Sequence, residues 1–469
     1  MALGLVLAYL AAVVLFYLLA GEQLRLRRSR GESALPPADS GTVELTAGSV
    51  VEQRFTMEVQ RLEEICVQWG TYYWPNAGTA SMELYDLRDG SLLAGQTFDM
   101  AAITEGGLTT LTMDEPLEGL YQVPLLLRIA SSDALPGSAA SPLMNTGLGY
   151  EDWSLSLNGE VRPGVLCLSV RGTDYIWTGL HYWQFAGAGL ALLLVFLALV
   201  WYRVRSGKHS YVLNAVIAMR RYRFLIRQLV SRDFKTKYKR SVLGVFWSFL
   251  NPLLMMCVQY VVFSTIFKAD IPNFAVYLLI GVVMFNFFSE ASGMALSSIL
   301  SNGSLITKVY MPKYIYPLTR VISSLINLSI SLLPLIIVCL ATGVQFKKSA
   351  VLSLYFILCL VVFCLGLGLL LSTSMVFFRD TQFLWGVLSM MWMYATPIFY
   401  PETILPDELK FVLQVNPLYH FLKNARSCIL DGISPEPFAY VQCFLIALGA
   451  LLLGALVFHK NQDKFVLYL

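Results

Sequence analysis

Apolar stretches long enough to cross a lipid bilayer recur along this chain. A helix needs about 20 apolar residues to cross a hydrocarbon core of about 30 Å. Eight stretches come close to or exceed that length, and they cover residues 2–20, 184–202, 242–267, 275–299, 317–341, 350–377, 382–398 and 438–458. The pattern therefore predicts an α-helical polytopic membrane protein with eight transmembrane helices.

The segment between the first two apolar stretches has a different pattern. After a Gly-, Pro- and Ser-containing linker at residues 21–40, short alternating segments separated by turns fill residues 41–183. Alternation with a period of two is typical of strands that bury one face, and frequent turns between such strands are typical of sandwiches. We expect an all-β sandwich inserted between two membrane helices.

Composition excludes several classes of protein. Hydrophobic residues make up 56% of the chain and charged residues 14%, with a mean hydropathy of +0.61. Soluble proteins carry about 25% charged residues, so a soluble enzyme is excluded. Aromatic residues at 13% and 33 scattered glycines also exclude a disordered chain and a collagen-like fibre.

Charge is divided unevenly along the chain, and this predicts the topology. Residues 41–183 contain 18 acidic and 6 basic residues, whereas residues 203–240 contain 12 basic residues and a single Asp. Basic flanks stay in the cytoplasm, so we expect the N-terminus and the C-terminal tail inside and the β-domain outside. Arg25, Arg27, Arg28 and Arg30 oppose this orientation, but reversing it would place many more cations outside.

The first apolar stretch has two interpretations. It could be a cleaved signal peptide or an uncleaved anchor over residues 1–20. No basic residue precedes its apolar core, and no clear small-x-small site follows Ala20. A signal peptide normally has both features, so we expect an anchor.

Residues that could carry catalysis are sparse. No G-x-x-x-x-G-K-[ST] motif occurs, so ATP-driven work would require a separate motor subunit. The four histidines are isolated, and we expect no metal or other cofactor in this chain. Glu290 is the one carboxylate clearly at membrane depth in the last six apolar stretches; it is either functional or paired with Arg320 or a hydroxyl such as Ser292.

Cys66 and Cys167 are the cysteines of the β-domain. An oxidising compartment would permit a disulfide between them. They could equally be two buried thiols on strands. The sequence leaves both alternatives open.

The basic segment at residues 203–240 predicts an amphipathic interfacial helix. Arg220, Arg223, Arg227 and Ser231 share one helical face, whereas Tyr222, Leu225, Ile226 and Leu229 share the opposite one. Such a helix lies in the membrane plane. Its basic face could meet anionic lipid head groups, a pyrophosphate-linked lipid, or an acidic surface of a partner.

Four ordered motifs follow in the C-terminal half. They are LIRQLVSRDFKTKYKRSVLGVFWSFLNP at residues 225–252, NGSLITKVYMPKYIYP at residues 302–317, Arg379-Asp380, and YATPIFYPETILPDELKFVLQVNPLYHFLKNAR at residues 394–426. Residues 222–469 resemble the permease subunits of ABC exporters of cell-surface polysaccharide, the O-antigen and teichoic-acid transporters of the type-two ABC permease superfamily. The resemblance implies a six-helix permease block at residues 241–469.

The resemblance also implies partners and a function. In that family the amphipathic helix and the loop at residues 302–312 sit in a groove of a separate ATPase subunit, which binds ATP and magnesium. We expect a homodimeric permease that exports a lipid-linked polysaccharide across the inner membrane of a bacterium and does not bind nucleic acid. The expected coupling residues are Arg232, Asp233, Asn302, Leu305, Lys308 and Pro312, and Arg220, Arg223 and Arg227 would meet the lipid pyrophosphate.

The segment at residues 394–424 is too polar and too rich in proline to span. Interrupted backbone at membrane depth must be covered by protein or line a water-filled path. The resemblance places such re-entrant segments at the exit, where we expect Pro397, Tyr400, Asn416, Pro417 and Arg426.

Aromatic rings interleaved with small hydroxyl groups would suit a path for sugar. The candidates for such a path are Tyr260, Ser264, Glu290, Trp385, Ser389, Trp392 and Thr396. The alternative for the tryptophans is ordinary packing or an interfacial belt.

The β-domain resembles jelly-roll carbohydrate-binding sandwiches. Tyr72, Tyr73 and Trp74 form the candidate glycan-binding cluster, although they could also fill the core, where we expect Trp69. The net charge of −12 over residues 41–183 argues against direct binding of an anionic polymer.

Three other functions remain open from the sequence. The chain could export a lipid or a drug-like small molecule, or it could be a non-transporting membrane anchor whose β-domain binds glycan. A membrane glycosyltransferase is the third, although it would need cytoplasmic carboxylates, which are scarce here.

Overall fold

The computed structural model describes residues 2–29, 31–150, 152–206, 217–239, 242–266, 273–308 and 311–468. The chain divides into two compact units. One comprises Met1–Leu24 and Tyr182–Leu469, and the other comprises Arg25–His181. Part of the predicted interfacial segment, at positions 207–216 and 240, lies outside the described residues.

Helices make up the first unit. They are α1 (Ala2–Ala20), α2 (Tyr182–Arg205), α3 (Arg223–Tyr238), α4 (Phe246–Val261), α5 (Phe274–Leu296), α6 (Gly303–Lys308), α7 (Ile315–Ala341), α8 (Ser353–Phe377), α9 (Thr381–Ala395), α10 (Lys410–Val415), α11 (Pro417–Arg426), α12 (Pro437–Asn461) and α13 (Phe465–Tyr468). Within the described residues, seven helices are long and apolar enough to cross a membrane. The expected eighth span, at residues 382–398, corresponds to α9, whose 15 residues reach only about 22 Å. A count of eight is therefore not confirmed.

Small residues allow α8 and α12 to pack closely. A Cβ atom on Gly454 would overlap the backbone of Gly366, and one on Gly366 would overlap the backbone at Ala450. Close backbone approach of this kind is typical of helix pairs in membranes. Helix α1 packs against the same region, where the ring of Phe16 meets Tyr440 edge-on at 4.8 Å between centroids.

Helices α1 and α2 form an antiparallel hairpin. Tyr9 Oη donates to the carbonyl of Ala186 at 2.8 Å, and Tyr182 Oη donates to the carbonyl of Val13 at 2.7 Å. These phenol groups satisfy their hydrogen bonds inside the hairpin. The hairpin is tied to the rest of the unit through Gln23, whose Oε1 accepts from the backbone N–H of Ser434 at 2.7 Å.

The second unit is a β-sandwich, as predicted. Its strands are β1 (Leu26–Arg28), β2 (Ser40–Gly41), β3 (Val50–Thr56), β4 (Arg61–Gly70), β5 (Thr79–Asp86), β6 (Leu92–Asp99), β7 (Leu108–Glu118), β8 (Pro124–Ser131), β9 (Ser141–Asn145), β10 (Ser154–Leu157), β11 (Glu160–Arg162), β12 (Val165–Leu166) and β13 (Leu168–Tyr175). Among the described residues, one sheet has seven strands in the order β1-β13-β4-β9-β12, with β2 on β9 and β7 on β4, and the other has six in the order β11-β10-β3-β8-β5-β6.

Side chains from both sheets fill the core of the sandwich. Strand β5 shows the alternation clearly, because Met82 and Leu84 are buried while Glu83 between them is not. Trp69 is fully buried, as expected. Cys66 and Cys167 are free, buried thiols, and burial raises the pKa of Cys167 to about 11. In the structure, Cys66 and Cys167 are therefore two buried thiols and not a disulfide.

Candidate functional site

Within the basic segment, α3 is an amphipathic helix whose apolar side packs on the helical unit itself, whereas Arg203 and Arg205 belong to the last turn of α2. Leu229 of α3 is buried, and Leu225 and Ile226 pack against the cluster that contains Ile306 and Tyr316. The cations at positions 220, 223 and 227 are exposed. The basic and apolar residues lie on separate faces, as the sequence predicts. That the helix lies in the membrane plane stays a prediction. The exposed arginines are free to meet an anionic group.

A buried carboxylate joins α3 to α7. Asp233 Oδ1 accepts from Arg320 Nη1 at 2.9 Å and from Arg232 Nη2 at 3.2 Å, and only 3% of the Asp233 side chain is exposed. The two arginines continue the network, since Arg232 Nη2 donates to Asn302 Oδ1 at 3.0 Å and Arg320 Nη2 donates to Ser301 Oγ at 3.1 Å. We call these five residues the Asp233 joint.

The charges of the Asp233 joint depend on one another. A buried charge is tolerated only when it is paired and hydrogen-bonded. The guanidinium of Arg320 is mostly covered, with 16% of its side chain exposed, whereas Arg232 is half exposed. Asp233 is therefore the main counter-charge that holds Arg320 in place, and through it α3 is fixed to α7.

Glu290 of α5 has a different partner from the one expected. Its Oε1 accepts from Lys237 Nζ at 2.8 Å and from Asn327 Nδ2 at 2.6 Å. Pairing with Arg320 or Ser292 was wrong, because α3 brings Lys237 to Glu290. Arg320 is bound to the Asp233 joint instead, and Ser292 Oγ donates to the carbonyl of Phe288 in its own helix at 2.7 Å.

The two ion-pair groups border one open cavity. It has a volume of about 550 Å³ and is lined by Arg232, Asp233, Thr236, Lys237, Glu290, Met294, Ser301 and Arg320. Lys237, Ser301 and Asn327 were not among the predicted site residues. The spacing of Asp233 and Lys237, four residues apart on one helix face, was the signal that could have found Lys237.

Only part of the predicted coupling loop touches the Asp233 joint. Asn302 is buried, and its Nδ2 donates to the carbonyl of Ser298 at 2.8 Å while its Oδ1 faces Arg232. Leu305 packs with the apolar cluster under α3. Lys308 is exposed at the end of α6, and the carbonyl of Pro312 accepts from Ile315 N at 3.2 Å at the start of α7. Positions 309–310 lie outside the described residues.

At the other end of α5, Arg426 binds the interrupted segment that follows α9. Its Nη1 donates to the carbonyl of Pro397 at 2.6 Å, and its Nη2 donates to the carbonyls of Tyr277 and Ile398 at 3.0 Å each. The guanidinium also lies 3.4 Å from the centroid of the Tyr277 ring. Tyr277 Oη donates to the carbonyl of Tyr400 at 2.8 Å. We call this group the Arg426 clamp.

Asn416 connects the end of α9 to the start of α11. Its Oδ1 accepts from the backbone N–H of Leu418 at 3.0 Å, which caps α11 before Pro417. The same oxygen accepts from Trp392 Nε1 at 2.8 Å, and Asn416 Nδ2 donates to Thr396 Oγ1 at 2.9 Å. Asn416 therefore fixes the start of α11 to the end of α9 through Trp392 and Thr396.

The aromatic stripe of α9 faces the interior of the helical unit. The rings of Trp385 and Trp392 lie 6.0 Å and 5.3 Å from the ring of Phe288. The opposite side of α9, with Phe383 and Met391, is exposed. Within a single chain, the two tryptophans therefore pack against neighbouring side chains. A role in a sugar path stays a prediction for this stripe, which includes Ser389.

The remaining predicted site residues lie apart from these groups. Tyr260 of α4 is 43% exposed, and its ring lies 5.9 Å from that of Phe274, while Ser264 is half-buried. In the β-domain, Tyr72, Tyr73 and Trp74 are exposed. Among the described residues, no group of three or more His, Cys, Asp or Glu side chains could hold a metal ion.

Comparison with known proteins covers part of the helical unit. Residues 225–430 match the family described as "ABC-2 type transporter". The O-antigen export system permease protein RfbA of Myxococcus xanthus is 28% identical over 54% of this chain and 98% of that protein. The polysialic acid transport protein KpsM of Escherichia coli is 24% identical over 51% of this chain and 93% of that protein.

A capsule protein shows the same relation. The capsule polysaccharide export inner-membrane protein CtrC of Neisseria meningitidis serogroup B is 27% identical over 48% of this chain and 88% of that protein. The β-sandwich at residues 25–181 lies outside the segment that the family matches. The chain is therefore a multi-pass membrane protein whose residues 225–430 match the ABC-2 type transporter family.

Proposed function

We propose that this chain is the membrane subunit of an ATP-driven exporter of lipid-linked cell-surface polysaccharide, of the O-antigen, teichoic-acid or capsule type. One observation carries the proposal. Proteins named for the export or transport of O-antigen, polysialic acid and capsule polysaccharide each align over 88% or more of their own length with this chain. Movement of a polysaccharide is what their names share, whereas the particular polymer differs among them.

The Asp233 joint supports a mechanism for coupling. A separate ATPase subunit would bind the exposed parts of α3 and α6 and move them during its cycle. Because Arg232 contacts Asn302 and Asp233 binds Arg320, a shift of α6 or α3 would be passed to α7. The Lys237–Glu290 ion pair would pass the same shift to α5. The chain supplies the transmission and its partner supplies the energy.

The exposed arginines suit the head group of the substrate. Arg220, Arg223 and Arg227 would attract a lipid pyrophosphate to the cytoplasmic face. Two copies of the chain would then form the conduit, with the Arg426 clamp fixing the re-entrant segment at the outer exit. In this topology the β-sandwich lies outside the inner membrane.

Export can be tested in cells that carry this chain and its ATPase subunit. Deleting the chain should cause intracellular accumulation of lipid-linked polysaccharide, and the wild-type chain should restore it to the surface. Replacing Lys308 and Pro312 together by alanine should abolish export without loss of the protein from the membrane. Lys348→Ala, at an exposed site outside the joint, is the matched control.

Two results would contradict the proposal. Unchanged surface polysaccharide in the deletion strain, with loss of a lipid or small molecule from the medium instead, would favour another cargo. A cysteine at Val161, which is 76% exposed, should react with an impermeant reagent when the outer membrane is opened. The native Cys66 and Cys167 are buried, and the exposed Cys257 is replaced by alanine so that it does not react in their place. Reaction only after disruption of the inner membrane would reverse the topology.

A further inference from the structure

The turn that follows β4 presents three aromatic side chains to solvent. Tyr72 is 45% exposed, Tyr73 is 88% exposed and Trp74 is 53% exposed. The rings of Tyr72 and Trp74 lie 5.7 Å apart and are tilted by 39°. Trp69, at the end of β4, is buried and donates from Nε1 to Thr109 Oγ1 at 2.5 Å. We call the three exposed residues the aromatic platform.

The backbone of the platform has an unusual conformation. Tyr72 has φ 54° and Tyr73 has φ 59°, so two consecutive tyrosines adopt left-handed backbone. Large side chains rarely adopt this region, and it persists only where the surroundings fix it. Glycine would adopt this conformation without strain. Two tyrosines occupy it instead, although their exposed rings contribute little to the core.

A carboxylate holds the turn in this conformation. Glu105 Oε2 accepts from the backbone N–H of Thr71 at 2.6 Å and from Thr71 Oγ1 at 2.8 Å. Hydrogen bonds from Thr71 and from the backbone of Tyr72 and Tyr73 lower the pKa of Glu105. Successive backbone N–H groups form a concave nest for an anion, and here the protein's own carboxylate fills it.

The neighbouring loop makes this support rigid. The backbone N–H of Gly106 donates to the carbonyl of Trp69 at 2.9 Å, and the N–H of Trp69 donates to the carbonyl of Gly107 at 3.0 Å. Gln68 Nε2 also donates to the carbonyl of Gly106 at 3.2 Å. The loop that carries Glu105 is thus fixed to the core strand β4, and it holds the backbone of the aromatic platform in place.

The chemistry of the platform selects its ligand. A pyranose ring has a face of C–H groups that can lie on the electron-rich face of an aromatic ring, while its hydroxyl groups stay in water or bond the phenol groups of Tyr72 and Tyr73. The excess of 12 acidic residues in this domain repels polyanions. We propose that the aromatic platform binds an uncharged pyranose chain, the exported polymer of the proposed function on which this inference rests.

Binding can be measured with the full chain in lipid nanodiscs. The probe is the polysaccharide released by mild acid from the surface of cells that carry this chain, and polysialic acid is the anionic comparison. Isothermal titration should show binding of the released polysaccharide and none of polysialic acid. The variant Tyr73→Gly with Trp74→Ala should weaken binding at least tenfold.

A matched control is available on the same domain. Tyr121 is 52% exposed and follows β7, whose Glu118 pairs with Arg61 at the opposite end of β4 from the platform. Tyr121→Ala should bind like the wild type. Folding of each variant is checked by its near-UV circular dichroism, and Tyr73→Gly relieves the left-handed strain rather than adding to it.

The outcomes separate this inference from the proposed function. Equal binding by the wild type and the platform variant, no binding by the wild type, or equal binding of polysialic acid would each overturn the platform site. None of these results affects the export test at Lys308 and Pro312. Failure of the deletion strain to lose surface polysaccharide would instead overturn the proposed function.

Discussion

Removal of the Asp233 carboxylate tests the proposed transmission most directly. In Asp233→Ala, Arg320 keeps its bond to Ser301 but loses the buried anion at 2.9 Å. Two unit charges about 4 Å apart interact by about 4 kcal/mol at an effective dielectric constant of about 20, and breaking a buried pair costs about 3–5 kcal/mol. We expect a loss of about 3 kcal/mol in the free energy of unfolding, because Arg320 is still partly exposed.

A double-mutant cycle isolates this interaction. Coupling between Asp233 and Arg320 should be about 3 kcal/mol by the same reasoning. Coupling between Asp233 and Arg232, whose side chain is 49% exposed, should be below about 1 kcal/mol. The exposed Glu402–Lys423 pair, at 3.1 Å with side chains 40% and 52% exposed, is the control and should also give below about 1 kcal/mol.

The assay has a structural and a functional part. Stability is followed by SDS titration of the purified chain in mixed micelles, and export is measured per copy of the chain in the membrane. Arg320→Lys keeps the positive charge but not the planar guanidinium. Export and ATP turnover by the assembled transporter should therefore fall by a larger fraction than the free energy of unfolding. Additive effects of Asp233→Ala and Arg320→Ala, or normal export by both variants, would refute the reasoning.

Other sites give equally specific expectations. Gly454→Ala should destabilise α8–α12 packing by about 1–3 kcal/mol, seen as a lower midpoint in SDS titration, whereas Gly449→Ala, with no atom within 4 Å of its Cβ position, should not. Arg426→Lys should lose at least one of three carbonyl bonds, which lowers the free energy of unfolding by about 2 kcal/mol; an unchanged midpoint would contradict the clamp. Tyr73→Gly should leave stability equal or higher by up to about 1 kcal/mol in urea unfolding of the β-domain, and a clear loss would contradict the strain. The pKa of Glu105 lies below its usual value. The carboxylate therefore supports the turn fully above the usual pKa, and this support is lost as the pH falls through the lowered pKa. Tryptophan fluorescence should follow this change, and Glu105→Gln should abolish the pH dependence of the fluorescence.

Hydropathy located the helices because crossing a membrane requires long apolar runs. The predicted segment at residues 275–299 is helix Phe274–Leu296, and residues 317–341 fall within Ile315–Ala341. The first segment extends beyond its helix, since apolar side chains continue past Leu296, whereas the second segment lies within its helix. For α9 the apolar run continued into the interrupted segment after Ala395, so the run was longer than the helix.

Partners at long range could not be predicted in the same way. Glu290 binds Lys237, which lies 53 residues earlier in the chain, and this pairing depends on how α3 packs. Arg426 binds backbone carbonyls, which every residue carries, so no side-chain pattern identifies its acceptors. The nest filled by Glu105 depends on backbone angles that tyrosine rarely adopts. In each case the sequence shows the residue, but its partner is known only from the folded structure.

Helix α5 connects the two polar sites of the helical unit. Glu290, near one end, binds Lys237 of α3, and Tyr277, near the other end, packs under Arg426. Thirteen residues separate them, which is about 20 Å of helix. Of the seven spans found among the described residues, α5 has the largest buried share, 67%, so it is surrounded by protein and resists bending. A displacement of α3 would therefore reach the interrupted segment that follows α9 through one stiff helix, without a continuous polar chain across the membrane.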